Sequence, residues 1–351
     1  MRIEVNAYFR AYPFTGSGQH IQHLLEALRG GYPDVTITDR MPPERYRRGM
    51  GKLWWEQIRW PAAARGANAL LHVPYLAPPL VAPSVVTVHD TIRFVMPAYE
   101  ATPLQRVYGA LIRLGLKRVK LAIAVSEWTG NQLTEVLSVP HAHVRVIHNG
   151  VADHLTPVAD NSDKHVHQRY GLPRRYGLYL GGFDVRKNIQ MLLRAWPQIW
   201  KATGTPLVVA GRQPRPRPPI FVDWFRRHHG APWLHLVGQV READKAALYR
   251  SAAVFVFPSR HEGFGLDPLE AMACGVPVVA SDVTAIPEVL GDAAVLVPHD
   301  DVSRWCSAVA DVLARPTVAV SLTALGLERA AMFTWERAAE ATMAVYREVS
   351  S

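Results

Sequence analysis

Short apolar runs alternating with longer amphipathic stretches constrain the fold of this chain more than any other feature. Strand-like runs are Ile3–Tyr8, Val35–Thr38, Val85–His89, Leu121–Val125 and Val144–Ile147. A second series follows at Gly177–Leu180, Leu207–Ala210, Leu234–Val237, Val254–Phe257, Val276–Ala280 and Ala294–Val297. Several are rich in Val, Ile and Leu with no polar alternation, as strands covered on both faces must be. Helix-like stretches lie between them, among them Gln19–Leu28, Leu104–Lys120, Ile189–Lys201 and Ala243–Ser251. Strand–helix alternation predicts an α/β chain of parallel sheets with helices on both sides. The polar segment Pro157–His167 has no apolar period and reads as a linker between two doubly wound, Rossmann-like domains. The expected division is 1–160 and 161–333. Ligands of such sheets bind beyond the carboxyl ends of the strands, so the two sheets are expected to face each other across a ligand cleft.

Composition removes other classes. With 49% hydrophobic and 20% charged residues the chain is globular rather than disordered. The 24 glycines have no three-residue period, and the 27 prolines are incompatible with a long coiled coil. No apolar run reaches the roughly 18 residues of a membrane span, and Met1–Val5 does not begin a signal peptide. Cys274 and Cys306 are too few for a disulfide framework or a four-cysteine zinc site, and read as buried thiols of a cytoplasmic protein. The net charge of +9 suits nucleic acid, anionic lipid or phosphorylated small molecules, and composition does not separate these.

Arg45, Arg47, Arg48, Lys52 and Arg59 interleave with Trp54, Trp55 and Trp60. This stretch fits a peripheral membrane-surface face, and equally an amphipathic helix with its tryptophans in the core.

Two segments carry chemistry. In Val254–Glu270 a buried strand ends at Pro258, and a turn with Gly263 and Gly265 leads into a helix. Asp267 reads as its N-cap, Pro268 as the first helical residue and Glu270 as the capping-box glutamate. The glycines let the backbone approach a ligand, and amides at a helix start suit phosphate. Glu262 has little structural work in such a turn. A carboxylate accepts from vicinal hydroxyls, so Glu262 on a sugar and Glu270 on a ribose would flank a diphosphate. The second segment is Gly181-Gly182-Phe183-Asp184-Val185-Arg186-Lys187-Asn188, whose basic pair beside glycines at a helix entrance suits a diphosphate.

The spacing of Glu262 and Glu270, within His-Glu-Gly-Phe-Gly-Leu-Asp-Pro-Leu-Glu-Ala-Met-Ala-Cys-Gly-Val-Pro, resembles retaining glycosyltransferases of the GT-B fold, family 4. Arg186-Lys187-Asn188, Val86–Asp90, Ala124–Ser126, Ile147–Val151 and Phe333-Thr-Trp-Glu336 are similar to landmarks of the same family. The resemblance spans nearly the whole chain and is strongest over 176–298. It implies that a last helix, 334–351, crosses back to the first, acceptor-side domain, while 161–333 binds the nucleotide sugar. It also implies roles. Lys187 would hold the donor diphosphate, Glu262 the transferred sugar and Glu270 the ribose. Gly263, Phe264, Gly265 and Leu266 would offer backbone near phosphate or sugar. His89 would lie near the sugar, and Gly16 and Gly18 would approach the phosphate from the opposite wall. Many members carry arginine where this chain has Gly182, and Arg186 is not the same position. The reaction implied is transfer of a hexose, with mannose preferred, from GDP-mannose or a UDP-sugar. The acceptor would be a glycan or polyprenyl-linked molecule in polysaccharide biosynthesis. Anomeric configuration would be retained, with no cofactor and no bound metal.

Other readings remain at this level, among them sugar-nucleotide epimerases and glycogen-type enzymes, which share the architecture. Gly16-Ser-Gly18 after the first strand and Asp39 about 20 residues on outline an NAD-dependent oxidoreductase, although Ile21 stands where the third glycine belongs. A non-catalytic sugar-nucleotide-binding subunit fits the same residues. Nucleic-acid binding is allowed by charge but has no motif, so no nucleic-acid partner is expected. His89 and Asp90 invite base catalysis, but neighbours on a strand face opposite ways. Asp90 therefore reads as a loop-structuring or acceptor-facing residue.

Overall fold

A computed structural model describes residues 1–96, 99, 102–211, 228 and 230–350. The chain divides into two compact units, Met1–Gly150 with Phe333–Ser351, and Val151–Met332. Each is built on a six-stranded, all-parallel, doubly wound sheet.

In the first unit the strands are β1 (Arg2–Asn6), β2 (Thr36–Arg40), β3 (Leu70–Val73), β4 (Ser84–Val88), β5 (Leu121–Ala124) and β6 (Val144–Val146), in the order β2-β1-β3-β4-β5-β6. In the second they are β7 (Gly177–Leu180), β8 (Leu207–Ala210), β9 (Leu234–Gly238), β10 (Val254–Phe257), β11 (Val278–Ser281) and β12 (Ala294–Val297), in the order β12-β11-β10-β7-β8-β9. The apolar runs predicted from sequence correspond to every strand but β3, edge strands included. β4, β5, β7, β8, β10 and β11 are buried at every residue, while the edge strands β2, β6 and β9 have no buried residue.

Sequence reading missed β3. It has four residues, and His72 interrupts its apolar character. His72 is nonetheless fully buried, because both ring nitrogens are bonded: Nδ1 to the Tyr346 hydroxyl at 2.6 Å and Nε2 to Thr87 Oγ1 at 2.9 Å. The polar 157–167 segment also differs from expectation. From Ser162 it is helical, to Tyr170, and Asp163 takes Arg250 in a two-pronged ion pair. This mostly polar helix buries Val166 and is tied down by that ion pair.

Chain order reverses between β1 and β3 in the first sheet and between β7 and β10 in the second. Splayed connections at such a reversal open a crevice at the carboxyl ends of the strands. The loops after β7 and β10 contain the two segments singled out above. The last helix, Trp335–Ser350, packs on Gly16–Gly31 in the first unit, burying Ala338, Met343 and Tyr346.

The tryptophan-rich stretch divides. Trp55 and Trp60 are buried and stacked at 5.7 Å, whereas Trp54 is 45% exposed beside exposed Met50 and Ile58. Among the described residues no single helix is long and apolar enough to cross a membrane. The consecutive helices Val302–Ala314 and Pro316–Ala331, bent by 95°, qualify together by length and composition. Trp305, Val309 and Leu313 of the first are, however, buried in the core of the second unit.

Candidate functional site

In the second unit the loop after β7 ends in a short 3₁₀ turn, Val185–Lys187, followed by Asn188 at φ +50°. Asparagine tolerates this left-handed conformation better than most residues. Its amide locks the turn by donating to the carbonyls of Pro258, at 3.0 Å, and His299, at 2.8 Å. Pro258 ends the β10 run, so Asn188 binds the β7 loop to the β10 loop. The backbone of Arg260 adds a bond to the Arg186 carbonyl at 2.7 Å.

This junction brings Lys187, Arg186 and Glu262 together. Lys187 is 7% exposed. Its Nζ lies 2.8 Å from Glu262 Oε1, 3.4 Å from Asp267 Oδ2, and 4.8 Å over the Phe257 ring. Arg186 donates to the same Glu262 oxygen at 2.9 Å and lies 3.4 Å from Asp184. Ser259 Oγ donates to Glu262 at 2.8 Å, and the Glu262 amide donates to Thr284 Oγ1 at 3.1 Å. Burial alone would raise the Glu262 carboxyl. Lys187 and Arg186, with the Ser259 bond, outweigh it and hold the carboxyl down at about 2. The glutamate is therefore an anion whose negative charge is already met by two cations.

The helix that follows is Leu266–Ala273, and its start corrects the sequence reading. Gly265, not Asp267, is the N-cap, at φ +100°, a conformation that favours glycine. Asp267 and Pro268 lie inside the first turn, with Asp267 reaching Lys187. Glu270 is not a capping-box residue. Its carboxylate accepts from Lys245 Nζ at 3.0 and 3.3 Å and from the Tyr249 hydroxyl at 3.0 Å, all buried. Burial pushes Glu270 up to about 7 against the pull of Lys245. Burial also opposes the Lys245 ammonium, but Glu270 and Glu242 outweigh it and raise it above its ordinary value. Lys245 and Tyr249 lie 25 and 21 residues before Glu270, and no local spacing signals their contact. Gly263, Phe264 and Gly265 are all buried, so this loop is framed from within. At Gly182 an added Cβ would stand 3.2 Å from Asp184 Oδ2.

In the first unit, Gly16 and Gly18 occupy the first turn of the helix Gly16–Gly31, capped by Thr15 Oγ1, which accepts from the Gly18 amide at 3.1 Å. The two glycines differ. A Cβ on Gly18 would stand 2.2 Å from the Tyr12 carbonyl oxygen, so packing alone requires glycine there; a Cβ on Gly16 meets nothing within 4 Å. His89 follows β4 and its Nε2 donates to the Pro74 carbonyl at 3.0 Å. Burial lowers its pKa, opposed by that carbonyl and by Asp90. Asp90 Oδ1 accepts from the Ile92 amide at 3.1 Å, a loop-structuring bond. Sequence reasoning missed His20, whose ring meets that of His89 edge-on at 4.6 Å.

The dinucleotide outline fails on geometry. Asp39 bonds Arg29 at 2.6 Å and is also paired with Arg10, so its carboxylate is engaged by two arginines; Ile21 is buried in the core.

Comparison with known proteins agrees. The family described as "Glycosyl transferases group 1" matches residues 174–315, and "Glycosyltransferase Family 4" matches 14–155. The chain is 31% identical over 267 residues to "O-antigen chain mannosyltransferase B" of Escherichia coli, covering 75% of this chain and 70% of that protein. Among solved structures it resembles sucrose-phosphate synthase from Thermosynechococcus elongatus, with TM-score 0.78 at 21% identity over 99% of this chain and 98% of that one. It also resembles Anabaena Alr3699/HepE in complex with UDP-glucose, with TM-score 0.72 at 16% identity over 99% and 100% of the two chains. With two parallel doubly wound sheets, basic and acidic side chains gathered at the second switch point, and a mannosyltransferase relative along most of its length, the chain belongs to the group 1 glycosyltransferases, family 4.

Proposed function

We propose that this glycosyltransferase moves a hexosyl group, mannosyl by preference, from a nucleotide-diphosphate sugar to a glycan or polyprenyl-linked acceptor with retention of configuration. The observation that carries the reading is the meeting of Lys187, Arg186 and Glu262 after β7 and β10. Two cations fixed at a strand-end crevice suit a diphosphate leaving group, and a carboxylate held ionised suits a sugar hydroxyl. Mannose is preferred because the E. coli relative is named a mannosyltransferase. A UDP-sugar is the other donor to test, since the Anabaena neighbour was crystallised with UDP-glucose.

In this reading the bond from the anomeric carbon to the β-phosphate oxygen breaks, and the acceptor oxygen bonds to the same face. The acceptor proton passes to the departing phosphate. Lys187, Arg186 and the amides of Phe264 and Gly265 meet the charge on the leaving group. Once the diphosphate has displaced the carboxylates that hold them, these groups would meet the developing charge without further movement. The cations are side chains, and the step needs no metal. Gly16 and His89 of the first unit would contact phosphate and sugar, and Glu270 the ribose. The exposed Trp54, Met50 and Ile58, with Arg45, Arg48 and Arg59 in the same stretch, support peripheral contact with an anionic membrane carrying a lipid-linked acceptor.

A thermal-shift panel of sugar nucleotides tests the donor, because a ligand that binds only the folded state raises its melting temperature. GDP-mannose is expected to give the largest shift, and the anomeric coupling of the product reports retention. No shift with any GDP- or UDP-sugar overturns the reading.

A further inference from the structure

His20 sits on the inner face of the helix Gly16–Gly31, 5% exposed, and three contacts converge on its ring. Its Nδ1 lies 2.8 Å from Asn149 Oδ1. That oxygen accepts, so Nδ1 carries the proton and Nε2 the lone pair; Nε2 is buried with no partner among the described residues. The ring meets His89 edge-on at 4.6 Å and the Trp335 indole edge-on at 5.6 Å.

The positions of those partners in the chain give the arrangement its meaning. The chain leaves the first unit after Gly150 and re-enters it at Phe333. Asn149 is the residue before the exit, and Trp335 follows the return. The two stretches touch directly: a Cβ on Gly150 would lie 2.3 Å from the Trp335 nitrogen and 2.5 Å from the Thr334 carbonyl carbon. His148 and Phe333 meet edge-on at 5.5 Å, and His23 stacks on Trp335 at 5.5 Å. His20 thus packs at once against the outgoing chain, the returning chain and His89.

His89 has its own anchor. Its Nε2 proton goes to the Pro74 carbonyl, which leaves Nδ1 as an acceptor. One hydrogen bond leaves an imidazole free to swing about that bond, and an edge-on neighbour in a packed interior removes the freedom. Burial holds His20 neutral, with the nearby His89 adding to the effect, so the two rings pack without charge repulsion.

We propose that His20 is a positioning residue that fixes the His89 ring against both chain crossings of the first unit. The proposal rests on the reading of His89 as a contact to the donor sugar. A ring displaced by about an ångström at a reacting centre costs up to ~10²-fold in rate.

The test uses the full chain with labelled histidine, in His20→Phe, His20→Gln and Asn149→Ala. Phenylalanine keeps the ring volume and loses the Asn149 bond; glutamine has an amide N–H to donate to Asn149 and loses the ring. Wild-type His89 is expected to give one sharp set of ring signals. In His20→Phe and Asn149→Ala those signals broaden or double, and kcat falls by about 10- to 100-fold while the donor KM changes less than about threefold. His20→Gln recovers part of the loss, which a residue that merely filled space would not show. Should His20→Phe fail to fold, Asn149→Ala reads the same coupling with the His20 ring still present. Sharp, single His89 signals in every folded variant overturn the proposal. Loosened His89 signals with unchanged turnover support the positioning of His89 by His20 and overturn the sugar contact of His89.

Discussion

Lys187 Nζ stands 2.8 Å from Glu262 Oε1, at a junction made by the loops following the two strands that flank the second sheet's switch point. The pair is not isolated. Arg186 shares the same carboxylate oxygen, and Asp267 and Asp184 lie 3.4 Å from Lys187 and Arg186 respectively. Three carboxylates therefore face two cations, and an arriving diphosphate must compete with groups already in place. In Lys187→Ala, Glu262 keeps Arg186 and Ser259, so the fold is expected to survive. Turnover is expected to fall by about 10²-fold or more, as for other preorganised groups that stabilise developing charge. Glu262→Gln, which keeps shape but loses charge, is expected to lose turnover on the same scale. Far-ultraviolet circular dichroism checks the fold in both, and near-native transfer rates in both would remove the assignment.

Gly16 and Gly18 of the first unit separate structural from ligand-facing need. Gly18→Ala drives a methyl group into the Tyr12 carbonyl and is expected to destabilise the chain by about 2 kcal/mol or more, the scale of core overpacking. Gly16→Ala meets open space in a helical turn, where alanine is favoured over glycine by about 0.5–1 kcal/mol. Its melting temperature is expected to hold or rise while donor affinity falls, if backbone approach to phosphate is the use of that glycine. A thermal melt with and without the donor reads both effects, and unchanged affinity in Gly16→Ala would exclude Gly16 from the phosphate site.

What could be read from the sequence follows from how local each cause is. Interior strands such as Val254–Phe257 are visible because both faces must be apolar over consecutive residues. The junction of Lys187 and Glu262 is foreshadowed because strand-end loops of a parallel sheet converge. β3 is hidden because His72 breaks its apolar run, and the Tyr346 hydroxyl that makes His72 tolerable lies 274 residues away. The helix start near Asp267 is misread because Gly265 takes a positive φ, which composition does not disclose. Glu270 satisfies a capping pattern by spacing, yet Lys245 on another helix claims it. His20 escapes notice because its partners Asn149, His89 and Trp335 are joined to it only by the tertiary fold.

Acid sensitivity is expected to originate in the first unit. Burial lowers the pKa of His20 well below its ordinary 6.5, that of His72 to about 3, and that of His89 in the same direction. A histidine kept neutral in the fold but free to charge when unfolded makes the unfolded state bind more protons. Stability is then full above about pH 6.5 and falls as pH drops below it, by up to about 1.4 kcal/mol per pH unit for each such histidine. Glu262, depressed to about 2, adds a further loss between its ordinary value near 4.5 and about 2. Melting temperature is expected to fall below pH 6.5, less steeply than the histidines alone would give, because the Glu270 carboxyl, raised to about 7, gains stability as pH drops from 7 toward 4.5. His72→Gln should be less stable at pH 7.5 and show a shallower acid decline, and a decline of unchanged slope would exclude His72 as a source.

The tryptophans of the basic stretch have separate uses, and substitution should divide them. Trp60 is buried against Trp55, and its indole nitrogen donates to Glu4 at 3.3 Å, so Trp60→Ala is expected to cost about 3–5 kcal/mol. Trp54 is exposed, with Arg59 over its ring at 6.0 Å, and contributes little to the core. Trp54→Ser with Met50→Ser and Ile58→Ser should therefore leave the melting temperature within about 2 °C, since surface changes seldom exceed about 0.5 kcal/mol. If this face meets a membrane, the triple variant is expected to lose sedimentation with vesicles containing anionic lipid, while wild type sediments at low salt and less at high salt. Equal sedimentation of the two would exclude this patch as the contact. Absence of vesicle binding by wild type at low salt would exclude the membrane contact itself.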